Sequence, residues 1–193
     1  MTQERVILGI DPGTNVMGYG LIVAKGSKIS LLQYGVIHLS KYANHALKLK
    51  KIHERITQLI EEYHPDEVAL EAPFYGVNVQ SMLKLGRAQG VAMAAALIRD
   101  IPITEYAPKK VKAAVTGNGN ATKEQVARML MNLLKFKVAE NEMLDATDAL
   151  GVAVCHVFQK GDNRKKAQSW SNFLTDNPDR LHRTSKKTKK DNE

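Results

Sequence analysis

A single cysteine, Cys155, stands among 193 residues. That count excludes an internal disulfide and a Cys/His metal cage, and it fits a reducing cytoplasm. No apolar run reaches the roughly 20 residues that span a bilayer. The first residues lack the charged start, apolar core and cleavage site of a secretory signal, so a cytoplasmic protein with no membrane partner is expected. No internal repeat and no second domain are evident. Acids are the scarcer charge: 20 Asp and Glu against 28 Lys and Arg leave a formal net charge of +8. The excess is uneven. Residues 160–193 hold 10 Lys/Arg and 5 Asp/Glu, while the preceding 159 hold 18 and 15. This terminal stretch ends "TSKKTKKDNE", with few aliphatic residues and no clear period. It reads as a basic, disordered tail following one domain over 1–159. On charge alone, a polyanion-binding tail and a solubilising tail are equally good readings.

What the chain does have is ordered alternation. Three strand-like runs, 5–11, 16–25 and 28–39, are joined by short turn-prone links such as that at Gly26, which predicts an antiparallel meander. Leu49, Ile52, Ile56, Leu59, Ile60 and Tyr63 then recur at helical spacing up to Pro65. A strand at 67–71, an Ala- and Gly-rich helix at about 79–99 and a strand at 101–106 follow. Helices at 108–115, 122–135 and 144–159 complete the order. The class is α/β, with a mixed sheet of antiparallel meander plus parallel strands, flanked by helices.

Acids end two of these strands. "RVILGIDPG" closes on Asp11 and "EVALE" on Glu71. Period two places Gly9 with Asp11 and Ala69 with Glu71, each a small residue that lets another element approach. If the two strands are parallel neighbours, both carboxylates lie at their carboxyl ends, where open α/β sheets put ligands. "DATD" adds Asp145 and Asp148, three apart and so on one face of a helix that is apolar all round and therefore buried. Each acid also has a plain reading: Asp11 opens a Pro-Gly turn, and the aspartates suit a helix N-terminus. Four crowded acids, however, require protonation or cations. Oxygen donors alone suit Mg²⁺, with Mn²⁺ as a substitute. Together with a basic surface they suggest two-metal phosphodiester hydrolysis.

"GIDPGTNVMGYG", "LEAPF", "LKLGRAQGVA" and "DATDALGVAVCH" occur in an order that resembles the RuvC family of Holliday-junction resolvases (crossover junction endodeoxyribonucleases), within the ribonuclease-H-like superfamily. The resemblance covers about residues 5–158. It implies a ribonuclease-H-like sheet and a homodimer that makes paired, Mg²⁺-dependent nicks in four-way DNA junctions during recombination and repair. It further implies catalytic, metal-binding roles for Asp11, Glu71, Asp145 and Asp148, and two ions per site. Lys112 and Lys123 fall on the family's DNA-contacting basic residues and Phe74 on its stacking aromatic. The RuvA–RuvB branch-migration complex is the implied partner. Ala72-Pro73 and the long basic tail depart from the family's pattern.

The residues around these motifs carry readings of their own. "APFYGVNVQ" displays Phe74 and Tyr75, either to stack on unpaired bases or to fold into the core. Lys109, Lys110 and Lys112 precede a Gly/Asn loop and Lys123 follows it, a phosphate-binding arrangement or an ordinary turn. Thr122 and Gln125 have capping-box spacing. Gly86 and Gly90 permit close packing against the sheet or against a second subunit; the family's dimerisation favours the latter. His38, His45, His53, His64 and His156 show no metal spacing and read as structural or exposed. Alternatives are an RNA-processing nuclease on the same fold, a nucleotide phosphotransferase lacking its second lobe, or a non-catalytic DNA-binding module.

Overall fold

The run Val6–Ile10 has no polar residue because both of its faces are covered. The computed structural model, which describes residues 3–26, 28–73, 78–137 and 145–160, shows how. The elements are β1 (Glu4–Asp11), β2 (Val16–Lys25), β3 (Lys28–His38), α1 (His45–Tyr63), β4 (Glu67–Glu71), α2 (Val79–Leu97), β5 (Ile103–Tyr106), α3 (Pro108–Thr116) and α4 (Lys123–Leu134). Residues 145–160 form a further helix, α5. The sheet order is β3-β2-β1-β4-β5. β1 to β3 form the expected antiparallel meander, and β4 and β5 add in parallel beside β1.

Alternation along the strands sorts side chains between two layers. Leu8, Ile10, Val68 and Leu70 pack against Ile52, Ile56 and Leu59 of α1 and Ala88, Ala92 and Ala95 of α2. On the other face Ile7, Ile22 and Ala24 meet Val126 and Leu130 of α4 and Leu150, Ala153 and Val154 of α5. Ala69 and Tyr106 meet Val111, Val152 and Cys155 there. The central helix α5 is buried from Ala146 to Val157 except at Asp148, as its all-round apolar sequence predicts.

Local chemistry fixes the ends. The Asn44 side chain accepts from Leu47 N at 2.9 Å to start α1. Thr122 and Gln125 form the expected reciprocal capping box on α4. β5 begins at Ile103 rather than at 101: Pro102 has no N–H to give a ladder, and its carbonyl instead accepts from Val68 N at 2.9 Å. Gly86 and Gly90 do not face the sheet. A Cβ at either would meet nothing within 4 Å.

Close approach of α5 to the sheet depends on three glycines, Gly9, Gly18 and Gly20. A Cβ on Gly9 would lie 2.2 Å from the Ala149 carbonyl oxygen, and one on Gly18 would lie 2.0 Å from that of Asp145. The first turn of α5 therefore sits directly over the carboxyl end of β1. The chain divides into compact units after Val157, and of Phe158–Glu193 only the last three residues of α5 are described. The expected basic tail lies, beyond Lys160, outside the described residues.

Candidate active site

Two rigid strands and one helix deliver the acids. The parallel register pairs Gly9 with Ala69 and Ile10 with Leu70, so Asp11 and Glu71 follow side by side at the strand ends. Asp145 and Asp148 come from the first turn of α5, held down by the contact at Gly18. One carboxylate oxygen from each of Asp11, Asp145 and Asp148 lies within 4.8 Å of the others. Glu71 stands outside that triad, but its charge acts on Asp11, and the charge of Asp148 acts on Glu71. The turn reading of Asp11 and the helix-end reading of the aspartates do not account for this convergence, since neither requires the other segment.

The cluster is electrostatically frustrated. Burial, then the charges of Glu71, Asp148 and Asp145, push the Asp11 pKa up to about 8, against the pull of Lys123. Burial and then Asp148 raise Glu71 to about 7, with Lys123 and Lys112 opposing. Burial also raises Asp148, although Lys123 donates a hydrogen bond to it at 2.5 Å. Burial works against the Lys123 ammonium itself. The Asp148 hydrogen bond and the charges of Asp148, Asp11 and Asp145 overcome this and leave its pKa above the ordinary lysine value. Half-buried carboxylates that repel one another are a site where a cation gains energy. The donors are all oxygen, which fits a hard divalent ion.

The basic candidates separate in space. Lys123, at the start of α4, lies 2.5 Å from Asp148 and 3.9 Å from Asp145. Lys112 on α3 acts on Glu71 and Asp148 through its charge. Lys110 instead sits over the Tyr106 ring, 5.4 Å from its centroid, and Lys109 is exposed with its carbonyl against Gly119. Phe74 and Tyr75 lie outside the described residues. Burial pushes the Cys155 thiol up to about 11, which leaves it inert. Sequence reasoning missed the direct pairing of Lys123 with the acids. It set His156 two helical turns beyond Asp148, too far to share an ion there, but gave it no partner. That residue is 1% exposed and bonded on both ring nitrogens, to Tyr106 and to Glu67. Two features pointed to it: Glu67 shares parity with Glu71 on β4, and His156 lies in the apolar run of α5.

The chain is similar to known proteins along most of its length. A family profile described as "Crossover junction endodeoxyribonuclease RuvC" matches residues 7–156. The crossover junction endodeoxyribonuclease RuvC of Cytophaga hutchinsonii is 67% identical over 180 residues, covering 93% of this chain and 90% of that protein. Its counterpart in Christiangramia forsetii is 57% identical, covering 94% and 95%. Among solved structures, T. thermophilus RuvC in complex with Holliday junction substrate superposes with a TM-score of 0.75 at 33% identity, covering 81% of this chain and 94% of that one. The yeast mitochondrial Holliday junction resolvase Ydc2 shares the fold at a TM-score of 0.68 and 15% identity, covering 87% and 84%. With the profile spanning most of the domain and relatives matched along nearly their whole length, this chain belongs to the RuvC family of crossover junction endodeoxyribonucleases, nucleases that hydrolyse phosphodiester bonds.

Proposed function

We propose that this chain resolves four-way DNA junctions by paired symmetric nicks, using Mg²⁺ held by Asp11, Glu71, Asp145 and Asp148. The observation that carries the reading is the meeting of three carboxylates from β1 and α5 within 4.8 Å, with Lys123 against them. Two Mg²⁺ ions in such a cluster would supply an activated water and stabilisation of the leaving oxygen, and Mn²⁺ has the same ligand preference. Asp11 and Glu71 hold their oxygens on strand ends that cannot shift without disturbing the sheet. Lys112 and Lys123 attract the phosphodiester to the mouth of the cluster, and Lys123 offsets part of the acids' mutual repulsion. Lys109 and Lys110 extend that basic surface along α3 for the flanking backbone. Phe74, with Tyr75 beside it, stacks on bases unpaired at the junction centre, a contact worth about 1–3 kcal/mol per base.

A junction offers two equivalent strands, which a two-fold dimer matches with two sites. Val79, Leu83 and Leu97 are 68%, 51% and 56% exposed and line one side of α2 with Gly86 and Gly90. This uncovered stripe supports a homodimer through α2. The tail from residue 160 adds non-specific, salt-sensitive attraction for DNA. Among the described residues no helix is long and apolar enough to cross a membrane. We place the protein in the cytoplasm, acting in recombination and repair with a RuvA–RuvB-type branch-migration complex.

The test is incubation of the purified protein with a synthetic four-way junction and with a linear duplex, in Mg²⁺ and in EDTA. Symmetric paired nicks are expected on the junction in Mg²⁺ alone. Cutting in EDTA, or equal cutting of the duplex, contradicts the reading.

A further inference from the structure

At the opposite end of the α5–sheet contact from the acid cluster lies a second polar group, which the reading above leaves without a role. Glu67, which opens β4, is 6% exposed. Its Oε1 accepts from Arg5 Nη1 at 2.6 Å, and its Oε2 bonds His156 Nε2. The other ring nitrogen, Nδ1, bonds the Tyr106 hydroxyl at 2.8 Å. Tyr106 and His156 stack edge to face, with centroids 5.7 Å apart. Burial, then Cys155 and Glu67, push the Tyr106 hydroxyl up to about 12, so it stays neutral and hydrogen-bonding.

The spacing on the two elements matches. Glu67 precedes Glu71 by four strand residues, about 13 Å. His156 follows Asp148 by eight helical residues, about 12 Å. The helix and the strand thus run in opposite senses, with polar groups facing each other at both ends. Between them, Ala69 meets Val152 and Cys155, and Gly9 meets Ala149 and Ala153. Gly18 and Gly20 seat the Asp145 carbonyl and Leu150 near the start of α5, whereas the small contacts along this line offer few side-chain ridges to fix the axial position of its far end. Tyr106 is also the register partner of Glu71, so the hydroxyl bonded to His156 belongs to the strand position beside a candidate metal ligand.

We propose that His156, held between Glu67 and Tyr106, is a positioning residue that fixes the axial position of α5 on the sheet and thereby the separation of Asp145 and Asp148 from Asp11 and Glu71. The proposal rests on the metal-binding reading of those acids. A shift of about 1 Å in such a constellation can cost on the order of 100-fold in rate. Replacing Glu67 and His156 together by apolar side chains removes the buried pair but leaves Arg5 and the Tyr106 hydroxyl without those partners, so some loss of Tm accompanies the change.

The test compares Mn²⁺ affinity by calorimetry without DNA, junction Kd in EDTA, single-turnover cleavage and Tm. The paired variant Glu67→Leu with His156→Leu is expected to bind Mn²⁺ at least about tenfold more weakly and to cleave about 10- to 100-fold more slowly, with junction Kd within about twofold of wild type. Glu67→Gln, whose amide can accept from Arg5 and donate to His156, is expected to restore Mn²⁺ affinity to within about twofold. If the paired variant does not fold, His156→Asn replaces it, since the shorter side chain loses Glu67; the same weakening is expected. Unchanged Mn²⁺ affinity and rate in a folded variant, even with a lowered Tm, overturns the positioning role. Asp11→Asn serves as the control. If it leaves Mn²⁺ binding intact, the metal-binding reading fails first and the positioning role falls with it.

Discussion

Asp11 is held where its own charge is unfavourable, and this has a measurable thermodynamic consequence. Its pKa is pushed up to about 8, and that of Glu71 to about 7, chiefly by burial. Both lie near 4 in an unfolded chain. Between those limits the folded state binds more protons than the unfolded state, so stability without metal is greatest at the acid end and falls as pH rises from about 4 to about 8. Asp11→Asn removes the charge and keeps the shape. In EDTA at pH 8 it is expected to stabilise the protein by about 0.5–2 kcal/mol, the common size of a single stabilising substitution. A thermal melt checks this, and a lower Tm for the variant would be the contrary result. Divalent metal should raise the wild-type Tm and leave that of the variant nearly unchanged. At this scale the sequence was informative where chemistry follows spacing: two strand-terminal acids and an Asp-x-x-Asp pair. It was uninformative where a partner arrives from a distant segment. Nothing in the spacing of Lys123 and Asp148, 25 residues apart, announces their hydrogen bond.

The decisive element is α5, since its first turn carries two acids and its backbone rests on glycine. A Cβ at Gly18 would overlap the Asp145 carbonyl at 2.0 Å, so Gly18→Ala must lift the start of the helix or bend β2. Such overpacking costs about 1–3 kcal/mol. Chemical denaturation should show that loss, together with weaker Mn²⁺ binding than in a variant equally destabilised elsewhere. Gly18→Ala with wild-type stability would mean that α5 is not pinned there. Periodicity made the strands and helices readable, because each is half or wholly buried in a regular way. Sheet pairing followed from the short links and the alternation of strands with helices. The same periodicity did not reveal the Arg5–Glu67–His156–Tyr106 network. Its four members come from four elements, and a charged residue at a strand start looks the same whether solvated or buried. Gly86 and Gly90 were ambiguous for a related reason: small residues signal close packing without naming the partner, and only the open space above them excludes the sheet.

For the whole molecule, the question is how one acid cluster becomes a tool that cuts two strands. The exposed stripe on α2 argues for pairing of two chains, and Leu83→Glu with Leu97→Glu should break it. Sedimentation is expected to show monomers that still bind Mn²⁺ but nick a junction on one strand at a time. A dimer that survives both charges would place the interface elsewhere. Removal of residues 160–193 should weaken junction and duplex binding by similar factors and flatten the salt dependence of both. Selective loss of junction binding would instead make the tail a structure-recognising element. The most direct measurement separates binding from chemistry on one substrate: junction affinity in EDTA and nicking rate in Mg²⁺, for wild type, Asp11→Asn and Glu71→Gln. Both variants keep the lysines of α3 and α4, so affinity should stay within a fewfold of wild type while nicking falls by orders of magnitude. Nicking at the wild-type rate by either variant would contradict a metal-binding role for that carboxylate, and by both would contradict catalysis at this cluster.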